Sequence, residues 1–533
     1  MHTQGDLPSL RASVRLGGKD SKIATPWYDV KFYPYTSAGV GPVFAVVGDR
    51  DTVVCRCVFE KGKAIEVIRW FKDDDENASL NSVEWSQSHS GDPLVCIAGG
   101  VPKIKILNVK TGELVTTLTG HGALINDLAI SPVSPRILAS GSMDHSIRIW
   151  SLDPAHAKSP TAVKCGGEGH KEGVLTVAFH RTGRYLLSGG MDTIVNLWVI
   201  PELPDGNTGT DKPTLIHYPH FSTTEIHTDF VDCARFYNDL ILSRSAKENK
   251  LLLWRIDHFT SSTPPPPPSA APIPSSATAT STANDSSGTR SAWGGRFQRL
   301  LQFDAPHTNL FYMRFGLFHE HGQRPALGLG NERSRVFWWD LQRLEEGPAE
   351  GEGGFKVPGK KGRRDGPGGG AGGGLLGLGV GGGSRPGLGR EESIASNVSH
   401  ASSAAVSSAA ASAASSVSAD NGQAAAATAA ASVGNPAAAP ATGLGDLARE
   451  KEREKEKEKE VAAKEGRVVK ASVGVGDPFH PIPAHKSVVV GKVTFATRQI
   501  SWSRGGEWAV AVGDQGMVCL FRRLEDGAGG SAS

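Results

Sequence analysis

No run in this chain approaches the ~20 consecutive apolar residues that cross a bilayer. The stretch MHTQGDLPSL has no apolar core of a secretion signal. The expectation is an intracellular, soluble protein with no membrane partner. Cysteine is scarce. Cys55, Cys57, Cys96, Cys165, Cys233 and Cys519 are scattered, and none forms a C-x-x-C pair with a second pair downstream. That spacing speaks against zinc, so no metal ligands are predicted. Small buried thiols in a reducing compartment account for them. Net charge is also lacking: the balance is +2, which favours neither bulk nucleic-acid binding nor an acidic partner. Motifs of catalysis are missing too. There is no nucleophile elbow and no phosphate-cradling glycine motif between a strand and a helix. The Gly-rich tract 366–384 is low complexity. No catalytic residue and no cofactor are predicted.

What is present is a repeat. Gly120–Trp150 reads GHGALINDLAISPVSPRILASGSMDHSIRIW, three short apolar runs separated by turn signals. Gly169–Trp198 repeats the opening GH, the MD turn and the closing Trp. A period of about 40–50 residues with these marks is that of a WD40 β-propeller. Each blade then needs a hydrogen-bonded set. The candidates are His121, Ser140, Asp144 and Trp150 in one copy, and His170, Ser188, Asp192 and Trp198 in the next. These histidines read as a structural network, in which buried polar groups satisfy one another, with a catalytic base or metal ligand as the alternative.

Weaker copies raise the count to seven: Trp27 to about Phe59, Leu80–Leu118, the two above, Ile226–Trp254, Asn309–Leu341 and Val493–Arg523. The fifth keeps His227 and Trp254 but has Lys247 and Glu248 near the expected Asp. The predicted fold is all-β, a seven-bladed WD40 propeller with long low-complexity insertions. Residues 1–20 form an N-terminal segment whose alternating run at 10–16 closes the ring as a strand of the last blade. Blades one to five occupy 21–256, blade six 293–344 and blade seven 478–524. Between them lie a Pro/Ser/Thr/Ala-rich insertion at 257–292 and a second at 345–477, both predicted to be disordered, as is the tail 525–533. The second insertion is Gly-rich, then Ala/Ser-rich, then REKEREKEKEKE from Arg449. Its cluster Lys360, Lys361, Arg363, Arg364 reads as part of a solubilising linker, with a nuclear-import or nucleic-acid role as the alternative. The acidic run Asp73–Asn77 reads as a solvated loop, with cation binding as the alternative.

A register argument points to a site. Each innermost strand carries a bulky marker: Phe32, Trp85, Ile130, Phe179, Phe236, Phe315 and Trp502. Four residues earlier stand Tyr28, Asn81, Asn126, Leu175, Asp232, Phe311 and Arg498. These positions share one height at one rim. Blades six, seven, one and two therefore align Phe311, Arg498, Tyr28 and Asn81 on an arc, with Tyr312 beside Phe311. Converging aromatic faces hold quaternary ammonium groups. A propeller enzyme would need a carboxylate or metal-ligand cluster in the channel, and Asp232 alone does not make one.

The segments HFSTTEIHTDFVDCARFYNDLILSRS (His220–Ser245), NLFYMRF (Asn309–Phe315), DDDEN (Asp73–Asn77), and EGH with GMD between Glu168 and Asp192 resemble the EED / extra sex combs family. These are the WD40 subunits of Polycomb repressive complex 2. The resemblance implies a nuclear, non-catalytic repressor subunit with no direct nucleic-acid contact. One face would bind a helix of the Enhancer-of-zeste methyltransferase subunit, with a Suppressor-of-zeste subunit as a further partner. The other face would read trimethyl-lysine of the histone H3 tail in an Ala-Arg-Lys-Ser context and so stimulate the methyltransferase. The implied cage is Tyr28, Phe311 and Tyr312. A fourth aromatic is expected at Asn81, where this sequence departs from the family, and Arg498 stands beside the cage, within reach of the peptide backbone. The alternative is a scaffold of the same complex that does not read methyl-lysine.

Overall fold

Short alternating runs make strands, and the strands gather into seven sheets. The computed structural model describes residues 7–17, 24–36, 41–58, 63–274, 288–346, 478–491 and 493–523. All of them belong to one compact unit. Blade one is Asp29–Phe32, Val43–Gly48, Asp51–Cys57 and Ile65–Lys72. Blade two is Leu80–Gln87, Pro93–Gly99, Lys103–Asn108 and Leu114–Thr119. Blade three is built on Ile125–Ser131, Ser134–Ser142, Ile147–Ser151 and Thr161–Cys165. Blade four has Val174–Phe179, Tyr185–Gly190, Val195–Val199 and Phe221–Thr223. Blade five has Val231–Tyr237, Leu240–Ser245, Lys250–Ile256 and Phe297–Asp304. Blade six is Gly316–Phe318, Ala326–Gly330, Arg335–Asp340 and Lys486–Val489. Blade seven is Thr497–Trp502, Trp508–Gly513, Met517–Arg522 and Ser9–Arg15.

The last of these strands closes the ring. Ser9–Arg15 pairs antiparallel with Met517–Arg522, from Ser9 opposite Arg522 to Arg15 opposite Met517. Burying apolar faces between sheets holds the ring together. Among the described residues there are seven separate apolar cores, one for each pair of neighbouring blades. The core of Trp27, Phe44 and Val53 with Val510, Val518 and Leu520 joins blade one to blade seven. With that contact the circle has no free end, which is how propellers protect their sheet edges.

Both insertions fall inside blades. The Pro-rich segment precedes Phe297–Asp304, the fourth strand of blade five. The long second segment precedes Lys486–Val489, the fourth strand of blade six. The expected boundaries at 293 and 478 therefore cut through these blades. The repeat signature ends with the third strand, and the fourth carries no mark of its own. Part of the first insertion is also structured, contrary to expectation. Thr289–Ser291 adds a fifth strand to blade four, and the Pro267 carbonyl lies 3.3 Å from the His220 ring. The same device recurs. Thr214–Ile216, ahead of blade four's last strand, joins blade three, and Pro481–Ile482, ahead of blade six's, joins blade five. The basic cluster at 360–364, the charged run from Arg449 and the tail lie outside the described residues.

The acidic run at Asp73–Asn77 is a capped turn. Asp73 is buried, pairs with Lys105 at 2.7 Å, and accepts the Asp75 amide at 2.9 Å. Its charge is met by Lys105, and no cluster of metal-ligand type occurs among the described residues. All six cysteines are free and buried.

Candidate functional site

Five of the seven register positions share a cause. In blades two, three, four, five and seven the inner ladder skips one residue near its start. The skipped residues are Asn81, Asn126, Leu175, Asp232 and Arg498. A bulge leaves its extra residue unpaired and re-aims its side chain. In blades one and six, Tyr28 and Phe311 lie on the chain leading into the inner strand.

Two of the seven positions, Tyr28 and Phe311, form an aromatic cluster with Tyr312 and Phe230. Phe311 and Tyr312 meet edge to face, with centroids 4.6 Å apart and planes at 86°. Tyr28 meets Tyr312 at 6.2 Å and 72°. Phe230, which register counting missed, stands against the other side of Phe311 at 6.3 Å and 82°. Its signal was its place two residues before Asp232. Tyr28 and Phe311 are half-buried, while Tyr312 keeps only 8 % of its surface exposed.

Tyr312 is held in an unusual backbone conformation, φ +61°, which costs a non-glycine residue about 1–3 kcal/mol. Its surroundings fix it there. Its amide donates to Asp232 at 2.9 Å, and its hydroxyl donates to the Asn126 carbonyl at 2.8 Å. The Arg314 guanidinium lies 4.7 Å from its ring centre. Asn126 is on blade three, so this side chain crosses the channel from blade six. Burial holds its hydroxyl pKa above the ordinary tyrosine value, which keeps it a neutral donor.

Arg498 braces the cluster from blade seven. It donates to the Phe311 carbonyl at 2.9 Å and grips Asp514 through two bonds of 2.8 and 2.9 Å, while its guanidinium lies 5.7 Å from the Tyr28 ring. Asn81 supplies no ring. It is half-buried, and its side-chain oxygen has no hydrogen-bond partner.

Beneath the aromatics lies a buried charge layer. Arg314 pairs with Asp127 at 2.9 Å and donates to the Asn126 and Leu175 carbonyls at 3.0 Å each. Burial works against the charge on Asp127, but Arg314 and Arg235 outweigh it and hold its pKa below the carboxylate norm. Three aspartates on alternate blades tie each to the next. Asp29 accepts the Val83 amide at 3.0 Å, Asp127 that of Val177 at 2.9 Å, and Asp232 that of Tyr312.

Similarities to known proteins fit this geometry. The WD domain, G-beta repeat model matches residues 112–151 and 163–199. Polycomb protein EED of Chaetomium thermophilum is 43% identical over 359 residues, 64% of this chain. The chain spans 62% of that protein's own length. Polycomb protein esc of Drosophila melanogaster is 29% identical over 313 residues, covering 56% of this chain and 66% of that protein. A chain in a humanized mutant of the Chaetomium Polycomb Repressive Complex 2 is 33% identical with a TM-score of 0.69, covering 98% of this chain and 99% of that one. The chain belongs to the EED / extra sex combs family. A further solved Chaetomium complex, described as in complex with H3K27me3, has a similar chain at 32% identity and TM-score 0.68, covering 97% and 98% of the two chains.

The blade networks of this EED-family chain follow one direction of donation. In blade three, Trp150 donates to Ser140 at 2.8 Å, Ser140 lies 2.7 Å from His121, and His121 lies 2.8 Å from Asp144. In blade four, Trp198, Ser188, His170 and Asp192 stand 2.9, 2.8 and 3.1 Å apart in turn. A neutral histidine protonated on Nδ1 satisfies every member. Blade five has the same chain, with Trp254, Ser243, His227 and Glu248 at 2.9, 2.7 and 2.8 Å. Its serine lies 11 residues before the tryptophan rather than 10. The longer turn carries a glutamate where the others carry an aspartate.

Burial opposes the charge on Asp144, but hydrogen bonds from His121, Ser146 and Gly122 overcome it, so its pKa lies well below the usual range. Such a group adds stability that is complete above the unfolded-state value of about 4 and is lost as pH falls toward the folded-state value. Asp144→Asn is expected to cost about 1–2 kcal/mol at pH 7. It should also flatten the loss between pH 5 and pH 3, as read by urea denaturation across pH. A variant with the wild-type acid limb would show that this carboxylate is not held.

At the far end of the channel from the aromatic cluster is a cavity of about 630 Å³. Phe32, Ile130, Phe179, Phe236, Phe315 and Trp502 line it, six of the seven markers. The seventh, Trp85, is buried between blades one and two and donates to the Lys31 carbonyl at 2.8 Å.

Proposed function

We propose that this protein is the histone-reading scaffold of a Polycomb histone H3 lysine methyltransferase complex. It is itself non-catalytic and works in the nucleus. The observation that carries the reading is the convergence of Tyr28, Phe311 and Tyr312 at one rim from distant parts of the chain. Edge-to-face rings present electron-rich faces to a methylated ammonium group, whose methyl groups bury well and whose charge is attracted to the rings. The family supports the partners: the Enhancer-of-zeste methyltransferase subunit and, by analogy, the Suppressor-of-zeste subunit. Stimulation follows only if a partner segment touches the bound peptide as well, because a ligand shifts an equilibrium solely by its differential affinity for the two states.

The test is calorimetric titration of the full chain with an H3-tail peptide carrying Ala-Arg-Lys-Ser, unmethylated or trimethylated on the lysine. At least tenfold tighter binding of the trimethyl form is expected. Equal binding would leave the scaffold role and remove the reader.

A further inference from the structure

Asn81 stands where the ring geometry calls for another wall. It is the bulge residue of blade two, since the ladder passes from Leu80 opposite Gly99 directly to Ser82 opposite Ala98. Its height is tied to that of Tyr28. Asp29, next after Tyr28, accepts the Val83 amide at 3.0 Å, two residues beyond Asn81. The two side chains therefore leave adjacent blades at one level of the rim. The equivalent Asn126 has its amide nitrogen bonded to the Val174 carbonyl at 2.8 Å and its side-chain oxygen 3.2 Å from the Tyr312 hydroxyl. Asn81 differs: its oxygen is buried and meets no donor. Native proteins leave few such acceptors unmet, and each calls for an explanation.

The chemistry of the ligand supplies one. A trimethylammonium group has no N–H, and only cation–π attraction and methyl burial hold it. A dimethylammonium group keeps one N–H and most of the apolar surface. Replacing an aromatic wall with a carboxamide weakens the first kind of contact and offers a charge-assisted hydrogen bond to the second. We infer that Asn81 makes this rim a reader of dimethyl-lysine as well as trimethyl-lysine, its half-buried side chain turning so that the oxygen, which meets no donor within the fold, accepts the remaining N–H. The inference rests on the methyl-lysine reading proposed above and specifies its substrate range. Unmethylated lysine is still refused. It has three strongly hydrated N–H groups, one acceptor to meet them, and no methyl groups to bury against Tyr28, Phe311 and Tyr312.

The experiment is calorimetry of the full chain with four H3-tail peptides, un-, mono-, di- and trimethylated on the same lysine. Two variants are compared with the unaltered chain. The expected result is dimethyl and trimethyl affinities within about threefold of each other. Asn81→Leu removes the acceptor at similar volume and should weaken the dimethyl peptide at least tenfold more than the trimethyl peptide. Asn81→Tyr restores a wall and should favour the trimethyl peptide by tenfold or more. A wild-type preference of tenfold or more for trimethyl over dimethyl would overturn the inference while leaving the reader intact, as would equal losses in Asn81→Leu. Failure to distinguish any methylated peptide from the unmethylated one would remove the reader itself.

Discussion

Tyr312→Ala is expected to lower affinity for the trimethylated H3 peptide about thirtyfold and to erase the preference over the unmethylated form. Tyr312 is the ring that both other walls touch, Phe311 at 4.6 Å and Tyr28 at 6.2 Å. A cation–π contact in a desolvated site is worth about 2 kcal/mol, and about 1.4 kcal/mol is a factor of ten. Alanine keeps the backbone but leaves the other two rings facing a gap. Tyr312→Phe separates wall from anchor. It keeps the ring and gives up the hydroxyl bond to Asn126, so a loss of about threefold is expected. Calorimetry with both peptides, alongside a melting curve to confirm folding, reads the two effects. A Tyr312→Ala protein that still prefers the methylated peptide would place the pocket elsewhere.

Asp127→Ala should be the most destabilising single change, costing about 3–5 kcal/mol, the range for breaking a buried ion pair from one side. Arg314 would stay in the channel with its charge unmet, and the Val177 amide and Thr176 hydroxyl would lose their acceptor. Urea denaturation would report it as a lowered midpoint with the slope retained. Adding Arg314→Met should recover part of the loss, because the unpaired charge is then gone. A cost below about 1 kcal/mol would mean the pair contributes little to holding blades three and six together.

The ring was readable from residues of strong local chemistry. GH, the turn aspartate and the closing tryptophan mark blades three and four because each blade needs that hydrogen-bonded set. Counting back from the bulky markers found Tyr28 and Phe311 because they stand just ahead of the inner strands of blades one and six, at the slot that a bulge residue fills in the other five blades. Other features had no local cause to reveal them. Fourth strands such as Phe297–Asp304 and Lys486–Val489 lie at the outside of a blade and carry no repeat mark, so composition misplaced the insertions. Glu248 completes blade five only because its turn is one residue longer, which spacing hinted at without assigning. Phe230 joins the rim through packing between blades five and six, and Arg498 faces inward because Asp514, sixteen residues later, holds it there. Contacts made across a ring depend on its closure, which no single repeat encodes.

The pairing of Ser9–Arg15 with Met517–Arg522 also sets an order of events during synthesis. Ser9–Arg15 leaves the ribosome about 500 residues ahead of the strand it pairs with. At about 5–20 residues per second that wait is on the order of 25–100 s. Throughout it, an edge able to pair with any other exposed strand stays open. Each residue of the two long insertions lengthens the delay, so this edge waits longer for its partner than it would in a ring without them.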